Sequence, residues 1–168
     1  QFCKKISQHA ELYISGYHGT LLPELMLELT GAQAVIRGEP EGVISQLTKN
    51  ASLDKIQGIT FRKDGQIVSQ PNAGPCDLIE FPVPAYDQVN FNHYRYDLMG
   101  WQRFVLFETS RGCKYNCDFC GKDVMYGKGF RQKTIAQVEQ ELENAIIKHR
   151  SNTGYFFDLD FLNDKQMV

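Results

Sequence analysis

Three of the five cysteines in this 168-residue chain, Cys113, Cys117 and Cys120, fall within eight residues, and this crowding constrains the chain more than any other feature. The segment reads SRGCKYNCDFC, a C-x3-C-x2-C spacing. It follows RFVLFETS (103–110), an apolar run patterned as a short buried strand. A helix comes after it, opened by the capping-box sequence Thr134-Ile135-Ala136-Gln137 and carrying an apolar face of Ile135, Val138, Leu142, Ala145 and Ile146. The apolar YFFDLDF after Gly154 then predicts a second strand, so this part of the chain reads strand, cysteine loop, helix, strand. Cys3 and Cys76 stand alone, and an odd count with three clustered does not build a disulfide framework. In a reducing compartment such a cluster binds metal or does redox chemistry.

Once a metal lowers their pKa values, three thiolates at this spacing can converge on one centre. Structural zinc takes four protein ligands. No fourth cysteine is near, and His93 and His149 lie about 20 and 29 residues from the cluster, so zinc is the weaker reading. A four-iron, four-sulfur cluster held by three cysteines would leave one iron open to a small substrate.

The remaining composition narrows the partners. With 20 acidic residues against 18 Lys plus Arg, a net charge of -2 gives no general attraction to nucleic acid or to an anionic membrane. The longest apolar stretches are runs such as Phe104–Phe107, far short of the ~20 residues of a membrane span, and the first residues have no signal-peptide core. A cytoplasmic protein is the expectation. The start at Gln1 and the stop at Val168, just after a strand pattern, lead us to expect an internal fragment.

Upstream of the cysteines, ELYIS (11–15) predicts a strand, Gly16-Tyr17-His18-Gly19-Thr20 a loop, and Pro23 the start of a helix that Gly31 stops. QAVIR (33–37) is the next strand, followed at Gly38-Glu39-Pro40-Glu41 by a helix with Val43, Ile44 and Leu47 on one face. This alternation is the pattern of a parallel, doubly wound α/β sheet with ligand loops at its strand ends. GITFRKDGQIVS (58–69) predicts a hairpin about Asp64-Gly65. Residues 70–102 lose periodicity, and four prolines stand among Phe81, Tyr86, Phe91, Tyr94 and Tyr96, as in an extended connector packed along a surface. Lys148, His149 and Arg150 read as solvated charges at a helix C-terminus, Cys3 and Cys76 as incidental thiols, and Trp101 as a packing residue.

SRGCKYNCDFC, with Phe119 just before its third cysteine, resembles the cluster loop of the radical S-adenosylmethionine (radical SAM) enzymes. The order GYHGTLLPE, VIRGEPE, IQGITFRKDGQIV and LIEFPVPAYD is similar to the stretch that joins a cobalamin-binding domain to a radical SAM domain in one class of them. Past the cluster, YGKGFRQKT and FFDLDF resemble that class as well, although Asp158-Leu159-Asp160-Phe161 departs from its usual paired acids.

The resemblance implies an α/β chain in three parts. Residues 1–69 would be the C-terminal part of a doubly wound (Rossmann-like) cobalamin-binding domain with its hairpin, 70–102 a linker, and 103–168 the start of a partial (β/α)6 TIM-like barrel. It implies that Cys113, Cys117 and Cys120 hold a 4Fe-4S cluster whose open iron is chelated by S-adenosylmethionine. Gly112, Phe119 and Asp158 would then border that site, and His18, Gly19, Gly38 and Glu39 would border cobalamin. The cobalamin axial-ligand motif Asp-x-His-x-x-Gly is absent. The implied activity is reductive cleavage of S-adenosylmethionine to a 5'-deoxyadenosyl radical, used for methylation of an unactivated carbon or for cyclisation of a small-molecule substrate. Flavodoxin or ferredoxin would serve as electron donor. The alternatives are a methylthiotransferase-like enzyme, against which only Cys3 and Cys76 are left for a second cluster, and a non-catalytic iron-sulfur or zinc module.

Overall fold

Contacts divide the chain into two units, one formed by residues 1–76 and 116–128 and the other by 77–115 and 129–168. The computed structural model describes residues 2–96, 100 and 102–161. Trp101 lies outside them.

The first unit contains α1 (Phe2–Ile6), β1 (Tyr13–Ile14), α2 (Tyr17–Leu21), α3 (Pro23–Thr30), β2 (Ala34–Ile36), α4 (Glu41–Thr48), β3 (Ile59–Lys63), β4 (Gln66–Ser69) and α5 (Lys122–Tyr126). Pro23 starts α3 and Gly31, at φ 70°, ends it in a left-handed cap. The four strands form one sheet in the order β1-β2-β3-β4. β1 and β2 are parallel, but β3 and β4 are antiparallel. The sheet is therefore mixed and not the parallel, doubly wound sheet that the alternation predicts, because the chain returns through α4 and a short 3-10 turn at Leu53–Lys55 to lay β3 antiparallel on β2. Asp64 and Gly65, with φ of 50° and 79°, make the two-residue turn between β3 and β4, as their dipeptide predicts. Ala34, Ile36, Val43, Ile56, Ile59 and Phe61 form its main core. Each large apolar side chain there contributes roughly 1.5–3 kcal/mol by leaving water.

The reading of residues 16–20 as a loop also fails in this unit. Residues 17–21 form the helical turn α2, not an open loop. Gly19 is buried there, and a Cβ on it would stand 3.0 Å from Val35 Cγ1, so the absence of a side chain lets α2 lie close on the sheet.

The second unit contains β5 (Arg95–Tyr96), β6 (Gln102–Phe107), β7 (Ser110–Cys113), β8 (Gly129–Gln132), α6 (Ile135–Glu143) and β9 (Thr153–Phe156). β6 and β9 run parallel with Phe104 opposite Thr153 and Phe107 opposite Phe156, and α6 is their crossover. β5 adds antiparallel to β6. The expected capping box is present: Gln137 N–H donates to Thr134 Oγ1 at 3.2 Å, and Thr134 N–H donates to Gln137 Oε1 at 2.9 Å. Gln137 Nε2 also donates to Ile79 O at 2.9 Å and so ties the connector to α6.

The connector is part of this unit's core. Leu78 is fully buried, and Tyr86 packs with Val105, Phe107 and Ala145. Of the expected α6 face, Ala145 is buried while Ile135 and Ile146 stay exposed. A π-helical turn, Asn144–Lys148, continues α6. It brings the His149 ring to 5.9 Å from Tyr86 and 5.6 Å from Phe91, which corrects the solvated reading of that residue. Among the described residues, no helix is long and apolar enough to cross a membrane.

Candidate metal and cofactor site

Cys113 ends β7, a strand the sequence pattern missed because SRGC has no apolar alternation. Backbone pairing with β8 defines it: Gly112 stands opposite Phe130 and Cys113 opposite Gly129. Gly112 has φ 81°, and a Cβ there would collide with the Gly129 carbonyl oxygen, so this position requires glycine on two independent grounds. Cys113 is half-buried, with Sγ 3.8 Å from Asp160 Oδ2. Before it in sequence, Arg111 Nε pairs with Glu108 at 2.9 Å, and the Arg111 guanidinium lies over the Phe81 ring at 5.1 Å.

Asp158, just beyond β9, reaches the β6–β7 junction. Its Oδ1 accepts from the backbone N–H and hydroxyl of both Thr109 and Ser110, while its buried Oδ2 has no hydrogen-bond partner among the described residues. Lys133, following β8, forms a buried ion pair with Glu141 of α6 at 2.7 Å. Burial, with the Glu141 charge second, pushes the Tyr86 phenol up to about 12.

Cys117 and Cys120 lie in the first unit and are both exposed. A turn joins them, closed by Cys120 N–H donating to Cys117 O at 3.0 Å. Phe119, between them, is 92% exposed. α5 follows and packs on α2, with Tyr126 edge-on to Tyr17 at 6.5 Å and Thr20 Oγ1 3.7 Å from Met125 Sδ. Burial, and secondarily the Cys120 thiolate charge, raises the pKa of Tyr17.

Within the same unit, a polar cavity of about 310 Å³ opens beside the end of β2, lined by Thr20, Arg37, Gly38, Glu39, the 72–75 segment and residues 123–127. Gly38 turns there at φ 74° and its N–H donates to Thr20 Oγ1 at 2.9 Å. Glu39 is buried at the cavity wall. His18 is exposed on α2 and is not among the lining residues.

Sequence reading missed two features of this region. The Arg37 guanidinium donates from Nη1 to Asn72 Oδ1 at 2.6 Å and from Nη2 to Gln70 O, while its Nε is buried without a partner among the described residues; burial lowers its pKa. Cys76 is also not incidental, because its Sγ and carboxylate oxygens of Glu39 and Glu41 lie within 4.8 Å of one another. Neither feature carries a sequence signal, since each joins β2 or its following turn to a connector more than 30 residues away.

No protein-family model matches the chain. An uncharacterised methyltransferase of Pyrococcus horikoshii is 31% identical over 178 aligned positions, covering all of this chain and 38% of its own. OxsB, a cobalamin-dependent S-adenosylmethionine radical enzyme solved with aqua-cobalamin and S-adenosylmethionine bound, superposes with a TM-score of 0.69 at 21% identity, over 89% of this chain and 21% of its own. The chain is thus similar in sequence to a methyltransferase and shares the fold of a cobalamin-dependent S-adenosylmethionine radical enzyme, the class its cysteine loop resembles. The radical SAM methyltransferase TsrM from Kitasatospora setae, solved with cobalamin and a 4Fe-4S cluster, has the same fold with a TM-score of 0.63 at 17% identity, over 94% of this chain and 33% of its own. The anaerobic magnesium-protoporphyrin IX monomethyl ester cyclase of Cereibacter sphaeroides is 24% identical over 88% of this chain. The chain spans 38% of the Pyrococcus protein and 25% of the cyclase.

Proposed function

We propose that the protein carrying this chain is a cobalamin-dependent radical SAM enzyme that methylates an unactivated carbon or closes a ring on a small-molecule substrate. The observation that carries the reading is the C-x3-C-x2-C loop between β7 and α5, in a chain whose β6–α6–β9 unit supplies the parallel strands of an α/β fold. The donor set suits an iron-sulfur cluster. Cys113, Cys117 and Cys120 form no disulfide, the 117–120 pair is exposed, and a cluster held by three thiolates leaves one iron for substrate. Cys113, Cys117 and Cys120 would hold it. When bound, such a cluster supplies one-electron reduction of the S-adenosylmethionine sulfonium, and cobalamin supplies methyl transfer.

The chain's own residues hold and shape these sites. Gly112 lets β7 lie against β8 immediately before the first ligand, and Arg111 neutralises Glu108 there. Phe119 offers an exposed ring beside Cys120, and the buried Oδ2 of Asp158 is an acceptor for a cationic cofactor group. Gly38 and Glu39, with Gly19 holding α2 on the sheet and His18 on its exposed side, make the region we assign to cobalamin. Residues 1–69 are assigned to the cobalamin-binding domain, 70–102 to the linker and 103–168 to the start of the partial barrel. A cytoplasmic location and a flavodoxin or ferredoxin donor complete the proposal.

The test is anaerobic reconstitution of the full-length protein. The expected result is about four irons and four sulfides per chain on the stoichiometry of the cluster, cobalamin binding, and 5'-deoxyadenosine release under reduction. A protein that takes up only zinc refutes the enzyme reading. One that makes 5'-deoxyadenosine without binding cobalamin removes the cobalamin part alone.

A further inference from the structure

We infer that Asp158 is a positioning residue for the first cluster ligand, acting through the Thr109-Ser110 junction. This rests on the assignment of Cys113 as a ligand. Four donors from two consecutive buried residues converge on one carboxylate oxygen: Thr109 N–H at 2.9 Å, Thr109 Oγ1 at 2.6 Å, Ser110 N–H at 2.5 Å and Ser110 Oγ at 2.6 Å. Thr109 and Ser110 are 4% and 3% exposed, so water cannot replace that oxygen.

The junction is held from its other side as well. Thr109 O accepts from Lys133 N–H at 2.8 Å, which fixes it to the segment leaving β8. Asp158 is placed by Phe157, whose N–H donates to Phe107 O at 3.1 Å and so registers the end of β9 on the end of β6. From Ser110 the chain runs only three residues along β7 to Cys113, and the left-handed Gly112 makes its path depend on where Ser110 starts.

Two residues beyond Asp158, the carboxylate of Asp160 lies against Cys113 Sγ. The segment after β9 therefore grips both ends of the strand that presents the thiol. A single carboxylate divides its work here. Oδ1 is committed to the junction, while Oδ2, buried and without a partner among the described residues, is left for another group. Loss of a partner that orients a metal ligand costs about 10–100-fold in metal affinity.

Asp158→Ala, Asp158→Asn and Thr109→Val/Ser110→Ala in the full-length protein test this with two readouts. The first is the rate at which iodoacetamide labels Cys113 in the metal-free protein, with Cys117 as the internal reference. The second is iron retention against a chelator after reconstitution. Asp158→Ala should label Cys113 several-fold faster with Cys117 unchanged, and should bind iron about 10–100-fold more weakly. The double variant should fall between it and wild type. Asp158→Asn, which keeps an acceptor oxygen, should restore both readouts.

Unchanged Cys113 labelling in Asp158→Ala overturns the inference. So does labelling that rises equally at all three loop cysteines, which reports general unfolding, and so does an Asn variant as impaired as Ala, which would give the work to the charge. A wild-type protein that takes up no iron-sulfur cluster refutes the functional reading instead, and the metal-free labelling then still decides whether Asp158 anchors the strand.

Discussion

Replacing Gly112 by alanine probes the strand that carries Cys113. At φ 81° an L-residue is strained by about 1–2 kcal/mol. The added Cβ also meets the carbonyl oxygen of Gly129, a backbone atom that has no rotamer to escape into. β7 must therefore move off β8 at the Cys113–Gly129 end, which gives up about two ladder hydrogen bonds worth about 0.5–1.5 kcal/mol each. The sum is about 2–5 kcal/mol.

Gly129 supplies the control. It has φ 100° with nothing within 4 Å of an added Cβ, so Gly129→Ala carries only the conformational strain, about 1–2 kcal/mol. Urea unfolding of the two variants measures the difference, and iron content after reconstitution reports whether Cys113 has moved. We expect Gly112→Ala to be the less stable by about 1–3 kcal/mol, the value of those ladder bonds, and alone to lose iron. Equal stabilities, with iron retained in both, would refute the steric reasoning.

Other perturbations have equally definite outcomes. Glu141→Ala leaves the Lys133 ammonium buried without its 2.7 Å partner and should cost about 3–5 kcal/mol in urea unfolding, whereas Lys133→Met with Glu141→Leu should recover most of that loss. The Tyr86 phenol ionises only near pH 12 when folded, against about 10 when unfolded, so the folded state holds the extra proton between those values. Its contribution is complete below pH 10 and is lost as pH rises through 12, and Tyr86→Phe should flatten the fall in melting temperature across that window. Thr134→Ala removes the capping-box acceptor for Gln137 N–H and should cost about 1 kcal/mol, visible as a lower urea midpoint at constant m-value.

Local chemistry was the legible part of the sequence. Asp64-Gly65 encodes its own turn, Pro23 and Gly31 bracket α3, and Thr134 with Gln137 opens α6, because in each case the determining atoms lie within a few residues. Long-range pairing was not legible. β7 is a strand only because β8, sixteen residues on, lies beside it, and SRGC shows no alternation of its own. Tyr17–Leu21 became a helical turn because Gly19 can approach Val35, a fact about the next strand. The connector's prolines masked the burial of Leu78 and that of Tyr86, which packs against Val105, Phe107 and Ala145 far along the chain. At the candidate site the three cysteines stood out by spacing. The junction gripped by Asp158 and the meeting of Cys76 with Glu39 and Glu41 came only with the fold.

The central claim is that this cysteine loop holds a cluster with one iron open to S-adenosylmethionine. Low-temperature electron paramagnetic resonance of the full-length protein, anaerobically reconstituted and reduced, tests it most directly, recorded with and without S-adenosylmethionine beside a Cys117→Ala variant. The account predicts a reduced-cluster signal that shifts when S-adenosylmethionine is added and disappears in the variant. A signal indifferent to S-adenosylmethionine, or no signal with stoichiometric zinc in its place, would contradict it.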